Sequence, residues 1–221
     1  MLEIRGVAKR FDPATPLLDG VDLTVARGEW VAIVGESGSG KSTLLNLIAG
    51  LDRPERGDVR LGSAPLPYQD DDALAIWRRH NVGFVFQAFH LLPYLTVSEN
   101  VALPLALLRV PANERRARAE ASLAAVGLAG FGARRPSTLS GGEMQRTAIA
   151  RAIVHEPVLL LADEPTGNLD EGNATAVLQC LRDAVRRANA CALMVTHSQR
   201  AAAMADRVMH LGGGCLRGQA P

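Results

Sequence analysis

Short apolar runs alternate with longer amphipathic segments along most of this 221-residue chain. The runs have strand length and are bounded by turn residues, whereas the longer segments repeat apolar residues at helical spacing. This pattern predicts strands over residues 2–7, 21–25, 30–34, 82–86, 158–162 and 191–195. It predicts helices over residues 42–48, 70–79 and 171–188. Because strands alternate with helices, we expect a mostly parallel sheet that is covered on both faces.

The middle of the chain differs from its two ends. From about residue 88 to residue 155 the pattern is mainly helical, and prolines at positions 93, 104, 111 and 136 separate the pieces. We therefore predict one domain over residues 1–221, with a core made of residues 1–87 and 156–221 and a helical insertion made of residues 88–155.

A glycine-rich segment follows the strand predicted at residues 30–34 and opens the next helix. It fits the phosphate-binding pattern G-x-x-x-x-G-K-[ST] with Gly35, Glu36, Ser37, Gly38, Ser39, Gly40, Lys41, Ser42 and Thr43. The glycines let backbone N–H groups curl around phosphates, and the helix N-terminus adds partial positive charge. Lys41 supplies a full charge, and Ser42 supplies a hydroxyl for Mg²⁺. The alternative, a purely structural glycine turn, is disfavoured by the strand, loop and helix context.

Two adjacent carboxylates follow the apolar run at residues 158–162. Asp163 and Glu164 stand at the C-terminal end of this predicted strand, where open α/β sheets bind ligands. Asp163 is placed to hold Mg²⁺, and Glu164 can accept a proton from a water that attacks the γ-phosphate. The alternative is a helix N-cap with an acidic first turn. Given the phosphate loop, we favour catalysis.

Composition narrows the class of protein. The chain is 48% hydrophobic, which is enough for a substantial core, and its best apolar stretches are too short to span a bilayer. We therefore expect a soluble protein, and any work at a membrane requires a second chain that spans it. The three cysteines lack metal-site spacing, which favours a reducing cytoplasm. The net charge of +1 gives no general attraction to nucleic acid.

Four further motifs resemble those of ATP-binding cassette (ABC) ATPases. In this resemblance, residues 139–146 correspond to the family signature, 161–166 to the Walker B segment, 168–170 to the D-loop and 195–197 to the switch-histidine segment. The resemblance implies a P-loop NTPase fold of the ABC type: a RecA-like core with an antiparallel β element and a helical insertion. It also implies ATP hydrolysis with Mg²⁺. Two copies of the chain are then expected to close head to tail over two ATP molecules.

The resemblance also assigns roles to single residues. Ser140, Gly141 and Gly142 bind the phosphates of ATP held by the other copy, and in isolation they would be an ordinary N-capped turn. Gln87 contacts Mg²⁺ and the attacking water, with an exposed loop amide as the alternative. His197 contacts the γ-phosphate, and Asp170 of the D-loop belongs to the nucleotide site. Phe11 stacks on adenine. For Phe11 the alternative is a core residue.

Three stretches resemble one bacterial branch, the lipoprotein-releasing, macrolide-export and cell-division ATPases: residues 83–87 with 91–93, residues 99–105 and residues 164–170. This resemblance implies an integral membrane permease on a separate chain and a peripheral location on the cytoplasmic face of the inner membrane. The permease would dock on residues 88–104. We expect two or three residues of an apolar cluster there to be exposed, the cluster being Phe89, Leu91, Leu92, Tyr94 and Leu95; the alternative is that they fill the core of the insertion.

One residue departs from the resemblance. Met144 stands where relatives usually have glutamine, and we expect it to affect packing or dimer closure more than ATP binding. Two other functions stay open: a soluble ABC ATPase that acts on nucleic acid or ribosomes, and an ATP-sensing module with little turnover. A nucleotide kinase or a GTPase is disfavoured, because neither explains Ser140 and its glycines.

Overall fold

The computed structural model describes residues 1–12 and 15–218, and the strands in these residues form two β-sheets. The strands are β1 (Leu2–Asp12), β2 (Thr15–Val25), β3 (Trp30–Val34), β4 (Arg56–Leu61), β5 (Ala64–Pro65), β6 (Val82–Phe86), β7 (Leu159–Asp163), β8 (Cys191–Val195), β9 (Arg207–Gly212) and β10 (Cys215–Gly218). The helices are α1 (Lys41–Ile48), α2 (Asp71–Asn81), α3 (Val97–Leu107), α4 (Ala112–Ala125), α5 (Gly141–Ile153), α6 (Glu171–Ala188) and α7 (Gln199–Ala202). A 3₁₀ turn spans Pro136–Thr138.

The larger sheet has the strand order β10-β9-β3-β8-β7-β6, and all its pairs except β10 with β9 are parallel. Within it, Asp163 at the end of β7 lies opposite Phe86 on one side and Val195 on the other. Ile33 in β3 also lies opposite Val195. The segments that follow β3, β6, β7 and β8 therefore leave the sheet at the same edge, which brings four sequence-distant motifs together.

The smaller sheet is antiparallel, with the order β2-β1-β4-β5. Its first two strands are longer than the apolar runs at residues 2–7 and 21–25 predict, because irregular pairing carries them through polar segments. The pattern also misses β4, β5, β9 and β10, whose residues are largely polar or partly exposed. The predicted combination of a mostly parallel sheet and an antiparallel β element is confirmed.

Side chains of the larger sheet alternate between two hydrophobic clusters. In β7, Leu159 and Leu161 point into the cluster that contains α1, whereas Leu160 and Ala162 point into the cluster that contains α5 and α6. This alternation is the period of a strand that is buried on both faces.

Helices α3, α4 and α5 occupy most of residues 88–155 and pack on one another. Helix α5 also packs against α6 and β6, so it joins these helices to the sheet. Pro104 does not end a helix as predicted, because α3 continues to Leu107 with Val101 and Leu105 fully buried on either side of it. The predicted domain also contains residues 13–14 and 219–221, which lie outside the described residues. Within the described residues, no helix is both long and apolar enough to cross a membrane.

Candidate functional site

The phosphate loop lies between β3 and α1. A side chain at Gly35 could not fit, because a Cβ atom there would lie 2.4 Å from the carbonyl oxygen of Leu211. Gly40 adopts φ +97° as the N-cap of α1, a conformation that favours glycine. Lys41 is 9% exposed, and its Nζ donates to the carbonyl oxygens of Gly35 and Glu36 at 2.9 and 2.7 Å. The loop is thus a tight backbone cradle with a buried cation beneath it.

The cradle also contains a polar atom without a protein partner. The hydroxyl oxygen of Ser39 is buried and makes no hydrogen bond. Helix α1 has no side-chain cap and no acidic residue in its first turn. A buried hydroxyl and an uncapped helix N-terminus are the donors that a phosphate group needs.

The acidic pair at the end of β7 faces this loop. Ser42 Oγ donates to Asp163 Oδ1 at 3.2 Å. Burial raises the pKa of Asp163, and the hydrogen bond from Ser42 opposes part of that shift. The backbone of Glu164 is left-handed, with φ +47°, and its N–H donates to the carbonyl oxygen of Val195. Such a conformation in a non-glycine residue is costly and is typical of functional sites.

His197 contacts the second carboxylate. Its Nδ1 donates to Glu164 Oε1 at 2.8 Å, and its backbone N–H donates to Glu164 Oε2 at 3.4 Å. The Glu164 side chain is 16% exposed, whereas the His197 side chain is 71% exposed. Five residues that the sequence places on three separate segments therefore converge: Lys41, Ser42, Asp163, Glu164 and His197.

Gln87 lies at the same edge but has another partner. Its Nε2 donates to Asn168 Oδ1 at 3.3 Å, and Asn168 Nδ2 donates to the Gln87 carbonyl oxygen at 3.0 Å. Gly167 leaves room for this contact, since a Cβ atom there would lie 2.7 Å from the Gln87 amide nitrogen. The Gln87 loop is therefore joined to the segment that follows Glu164.

The start of α5 forms a separate anion-binding candidate. Ser140 Oγ accepts the Glu143 N–H at 3.3 Å, and Glu143 Oε2 accepts the Ser140 N–H at 2.7 Å, which is a capping box. This helix start lies beside the D-loop, because a Cβ atom at Gly141 would be 3.3 Å from Leu169. Among the described residues, no hydrogen bond joins residues 140–142 to residues 35–43.

The structure also shows the surroundings of three other residues that the sequence singled out. Phe11 is 70% exposed, so the core alternative is wrong, and Lys9 Nζ lies 5.3 Å from the centre of its ring. Asp170 is the N-cap of α6, and hydrogen bonds from Asn173 lower its pKa. Met144 is partly buried and packs against the hydrophobic cluster that contains α5 and α6.

The apolar cluster defined above is partly exposed, as predicted. Leu92 is 48% exposed and Tyr94 is 87% exposed, whereas the other three members are partly buried. Asn100 is fully buried beneath them; its Nδ2 lies within hydrogen-bonding distance of three carbonyl oxygens, and its Oδ1 accepts the Leu92 N–H. A groove of about 770 Å³ runs nearby, between α2, β6, α3 and α5.

Sequence reasoning missed the structural roles of three residues. Asn100 holds the backbone beneath the apolar cluster, Arg151 contacts the loop after Gln87, and Asn168 contacts Gln87 itself. Arg151 lies four residues after Thr147 on α5, and only the structure shows that Thr147 is fully buried. A guanidinium that continues a buried helix face must find acceptors.

The phosphate loop lies between β3 and α1, and the acidic pair ends β7, which is separated from β3 by β8 in the sheet. This arrangement defines the class of P-loop ATPases. Residues 18–167 match the sequence model of the family described as "ABC transporter". The chain belongs to this family, and it is an ATP-binding and ATP-hydrolysing protein.

Relatives support this membership across the whole chain. The "Lipoprotein-releasing system ATP-binding protein LolD" of Chromohalobacter salexigens is 48% identical over 220 residues, which are 98% of this chain and 92% of that protein. The LolD of Anaeromyxobacter dehalogenans is also 48% identical, over 100% and 94% of the two chains. A solved structure, the dimeric post-hydrolysis state of the ATP-binding cassette MJ0796 bound to ADP and Pi, has a TM-score of 0.86 at 36% identity and covers all of both chains.

Proposed function

We propose that two copies of this chain close head to tail around two ATP molecules and power a separate membrane protein. One observation carries the proposal: within one chain, the anion-binding start of α5 has no hydrogen bond to the phosphate loop among the described residues. In the proposed dimer, the start of α5 contacts the nucleotide that the phosphate loop of the other copy holds. The solved structures of the cassette MJ0796 are dimeric, which supports this arrangement.

In the proposed site, backbone N–H groups of residues 35–43 and the Lys41 ammonium bind the phosphates of ATP. Glu164 accepts a proton from the attacking water, because it is the carboxylate that His197 contacts at the sheet edge. His197 orients that water and contacts the γ-phosphate. Gln87 contacts the water from the other side of the acidic pair.

The donor set fits Mg²⁺. The Ser42 hydroxyl and the Asp163 carboxylate are hard oxygen ligands that already lie 3.2 Å apart. Mg²⁺ at this site would complete its coordination with phosphate oxygens and water. Ser42 and Asp163 would hold the ion, with Gln87 as the third protein ligand, and the ion would neutralise charge on the phosphates.

The nucleotide base has a matching surface. Phe11 presents an exposed ring beside the Lys9 ammonium, and we propose that this ring stacks on adenine. Asp170 completes the site from the D-loop beside the signature.

The membrane partner is proposed from the relatives. Their name, lipoprotein-releasing system ATP-binding protein, supports the proposal that this chain works with a permease on a separate chain, at the cytoplasmic face of the inner membrane. The exposed Leu92 and Tyr94 and the adjacent groove supply apolar surface for docking. Residues 1–87 and 156–221 would act as the catalytic core and residues 88–155 as the subdomain that receives the permease. We propose no direct contact with nucleic acid.

The test of closure is Glu164→Gln, which keeps ATP binding and removes the base. We expect Mg-ATP to convert this variant from monomer to dimer, measured by size exclusion with light scattering. Glu164→Gln with Lys41→Ala is the control that must stay monomeric. A Glu164→Gln chain that binds Mg-ATP but stays monomeric, even with its membrane partner, would contradict the proposal.

The partner is tested separately by isolating tagged Glu164→Gln with Mg-ATP from gently solubilised native membranes. Mass spectrometry should identify a membrane protein with few spanning helices and a large extracytoplasmic domain. A permease with many spanning helices would move the chain to ordinary transport. Recovery of ribosomal proteins alone would exclude the transporter function and leave the ATPase.

A further inference from the structure

The loop that follows Gln87 contains two consecutive non-glycine residues in the left-handed region. Phe89 has φ +57° and His90 has φ +48°. Side chains disfavour this conformation, and a pair of such residues persists only where surrounding contacts hold it. The loop conformation next to Gln87 therefore needs an external support.

Arg151 provides that support. Its Nη2 donates to the Phe89 carbonyl oxygen at 2.7 Å, and its Nη1 donates to the His90 carbonyl oxygen at 2.5 Å. The planar guanidinium is suited to this double contact, because its two N–H groups are fixed in direction. Burial lowers the pKa of Arg151, so the guanidinium has given up water for these two carbonyl groups.

The same helix holds the other side of Gln87. Gln145 Nε2 donates to the carbonyl oxygen of Phe86 at 3.2 Å, and Gln145 is fully buried. Helix α5 thus contacts the chain immediately before and after Gln87, and the N-terminus of this helix is the Ser140 anion site. Arg151 also lines the groove between α2, β6, α3 and α5.

We propose that Arg151 is a positioning residue for Gln87: it fixes the left-handed loop so that Gln87 follows any movement of α5 or of the groove. This inference rests on the proposed role of Gln87 in hydrolysis. ATP closure at one end of α5, and partner docking in the groove, would both act on the loop after Gln87 through Arg151, while Gln145 holds the chain before Gln87.

The test compares Arg151→Met, which keeps length and removes both donors, with Arg151→Lys, which keeps charge and a single donor group. Arg151→Met should lower kcat for ATP hydrolysis by about tenfold and leave KM within about twofold, with Arg151→Lys between it and the parent. Amide hydrogens of residues 88–92 should exchange faster in Arg151→Met. The matched control is Arg118→Met, which removes a guanidinium contact to the Val154 carbonyl oxygen near the end of the same helix. It should change neither measurement.

A double-mutant cycle separates positioning from a general packing role. In a Gln87→Ala background, Arg151→Met should cause no further loss of kcat, because the group that it positions is gone. Losses that multiply, or unchanged exchange at residues 88–92, would overturn the inference. If Gln87→Ala alone keeps full turnover, the proposed catalytic role of Gln87 fails, whereas the exchange measurement still decides whether Arg151 holds the loop.

Discussion

The two helices that begin at anion-binding motifs are built in opposite ways. Helix α1 starts at Gly40, with no side-chain cap and no acid in its first turn, above the buried Lys41. Helix α5 starts at Ser140 inside a complete capping box, with Glu143 in its first turn. The first helix start leaves its donors for a ligand, and the second has already satisfied part of its donors within the chain.

This difference indicates an order of events. The phosphate loop has a positive charge, an unpartnered Ser39 hydroxyl and uncapped amides, so it can bind nucleotide in a single chain. The Ser140 end has the Glu143 carboxylate at its helix start, with Arg134 and Arg146 near it, and part of its donors is already bonded within the chain, so we expect it to bind nucleotide weakly by itself. We therefore expect ATP to bind first at the phosphate loop and to recruit the signature of the second copy afterwards.

The largest expected effect is at the phosphate loop. Lys41→Ala removes the buried ammonium, and we expect the affinity for ATP to fall by about 100-fold. Each tenfold change in affinity corresponds to about 1.4 kcal/mol of binding free energy. Isothermal titration calorimetry measures this directly. Arg56→Ala removes an exposed cation paired with Asp19 and serves as the control. If Lys41→Ala binds ATP within about threefold of the parent, the phosphate loop does not differ from the Ser140 end in the way argued above.

The second effect tests the signature end. Ser140→Ala removes the cap, which costs about 1 kcal/mol of helix stability, and should lower turnover about tenfold while ATP binding to the single chain stays unchanged. Ser140→Thr keeps a capping hydroxyl and should retain most of the turnover. In mixed dimers, Ser140→Ala on one copy should impair only the site whose phosphate loop lies on the other. Equal impairment of both sites would contradict the head-to-tail arrangement.

The same contrast explains how much the sequence could predict. Both helix starts are local motifs, so their residues and spacing were sufficient to find them. The sheet edge that brings the phosphate loop together with Gln87, the acidic pair and His197 was also predictable, because parallel strands deliver their C-terminal residues to one side.

Contacts between distant segments were not predictable. Arg151 supports carbonyl groups about 60 positions earlier in the chain, and Asn168 meets Gln87 across 81 positions. Strands β4 and β5 pair through backbone groups in a polar segment, where hydrophobic alternation gives little signal. The roles of these residues depend on the tertiary neighbours that the fold brings to them.

A smaller effect on stability concerns the acid beside Ser42. Burial raises the pKa of Asp163, so its ionised form is less stable in the folded chain than in the unfolded one. Asp163→Asn should therefore raise Tm in nucleotide-free, magnesium-free buffer at pH 7 by about 2 °C. The difference should shrink as the pH falls through the raised pKa toward the ordinary pKa of an aspartate, because the carboxyl of the folded parent becomes protonated over that range. A lower Tm for Asp163→Asn at pH 7 would mean that its hydrogen bond with Ser42 outweighs the cost of burial.

The smallest expected effect, and the sharpest test of the contrast, is the charge of Glu143. Hydrogen bonds from Ser140 lower the pKa of Glu143, so its carboxylate is ionised throughout pH 6–8 and lies at the helix start where a phosphate of the other copy would bind. Glu143→Gln keeps an oxygen for the Ser140 N–H and removes the negative charge. Repulsion of that phosphate is then lost, along with a favourable interaction of the carboxylate with the helix dipole.

The two consequences of Glu143→Gln have opposite signs and can be measured apart. In the Glu164→Gln background, the ATP concentration for half-maximal dimer formation should fall about two- to fivefold, while Tm of the nucleotide-free chain falls slightly. The control is Glu99→Gln at the start of α3, where Glu99 accepts the N–H of Thr96 in the same capping-box geometry and has a pKa lowered by the same kind of contact. That variant should lower Tm similarly without changing dimer formation. If both variants change the ATP concentration for half-maximal dimer formation equally, the charge acts through helix stability and not through a phosphate at Ser140. That result would contradict the proposal that residues 140–142 form the second half of the nucleotide site.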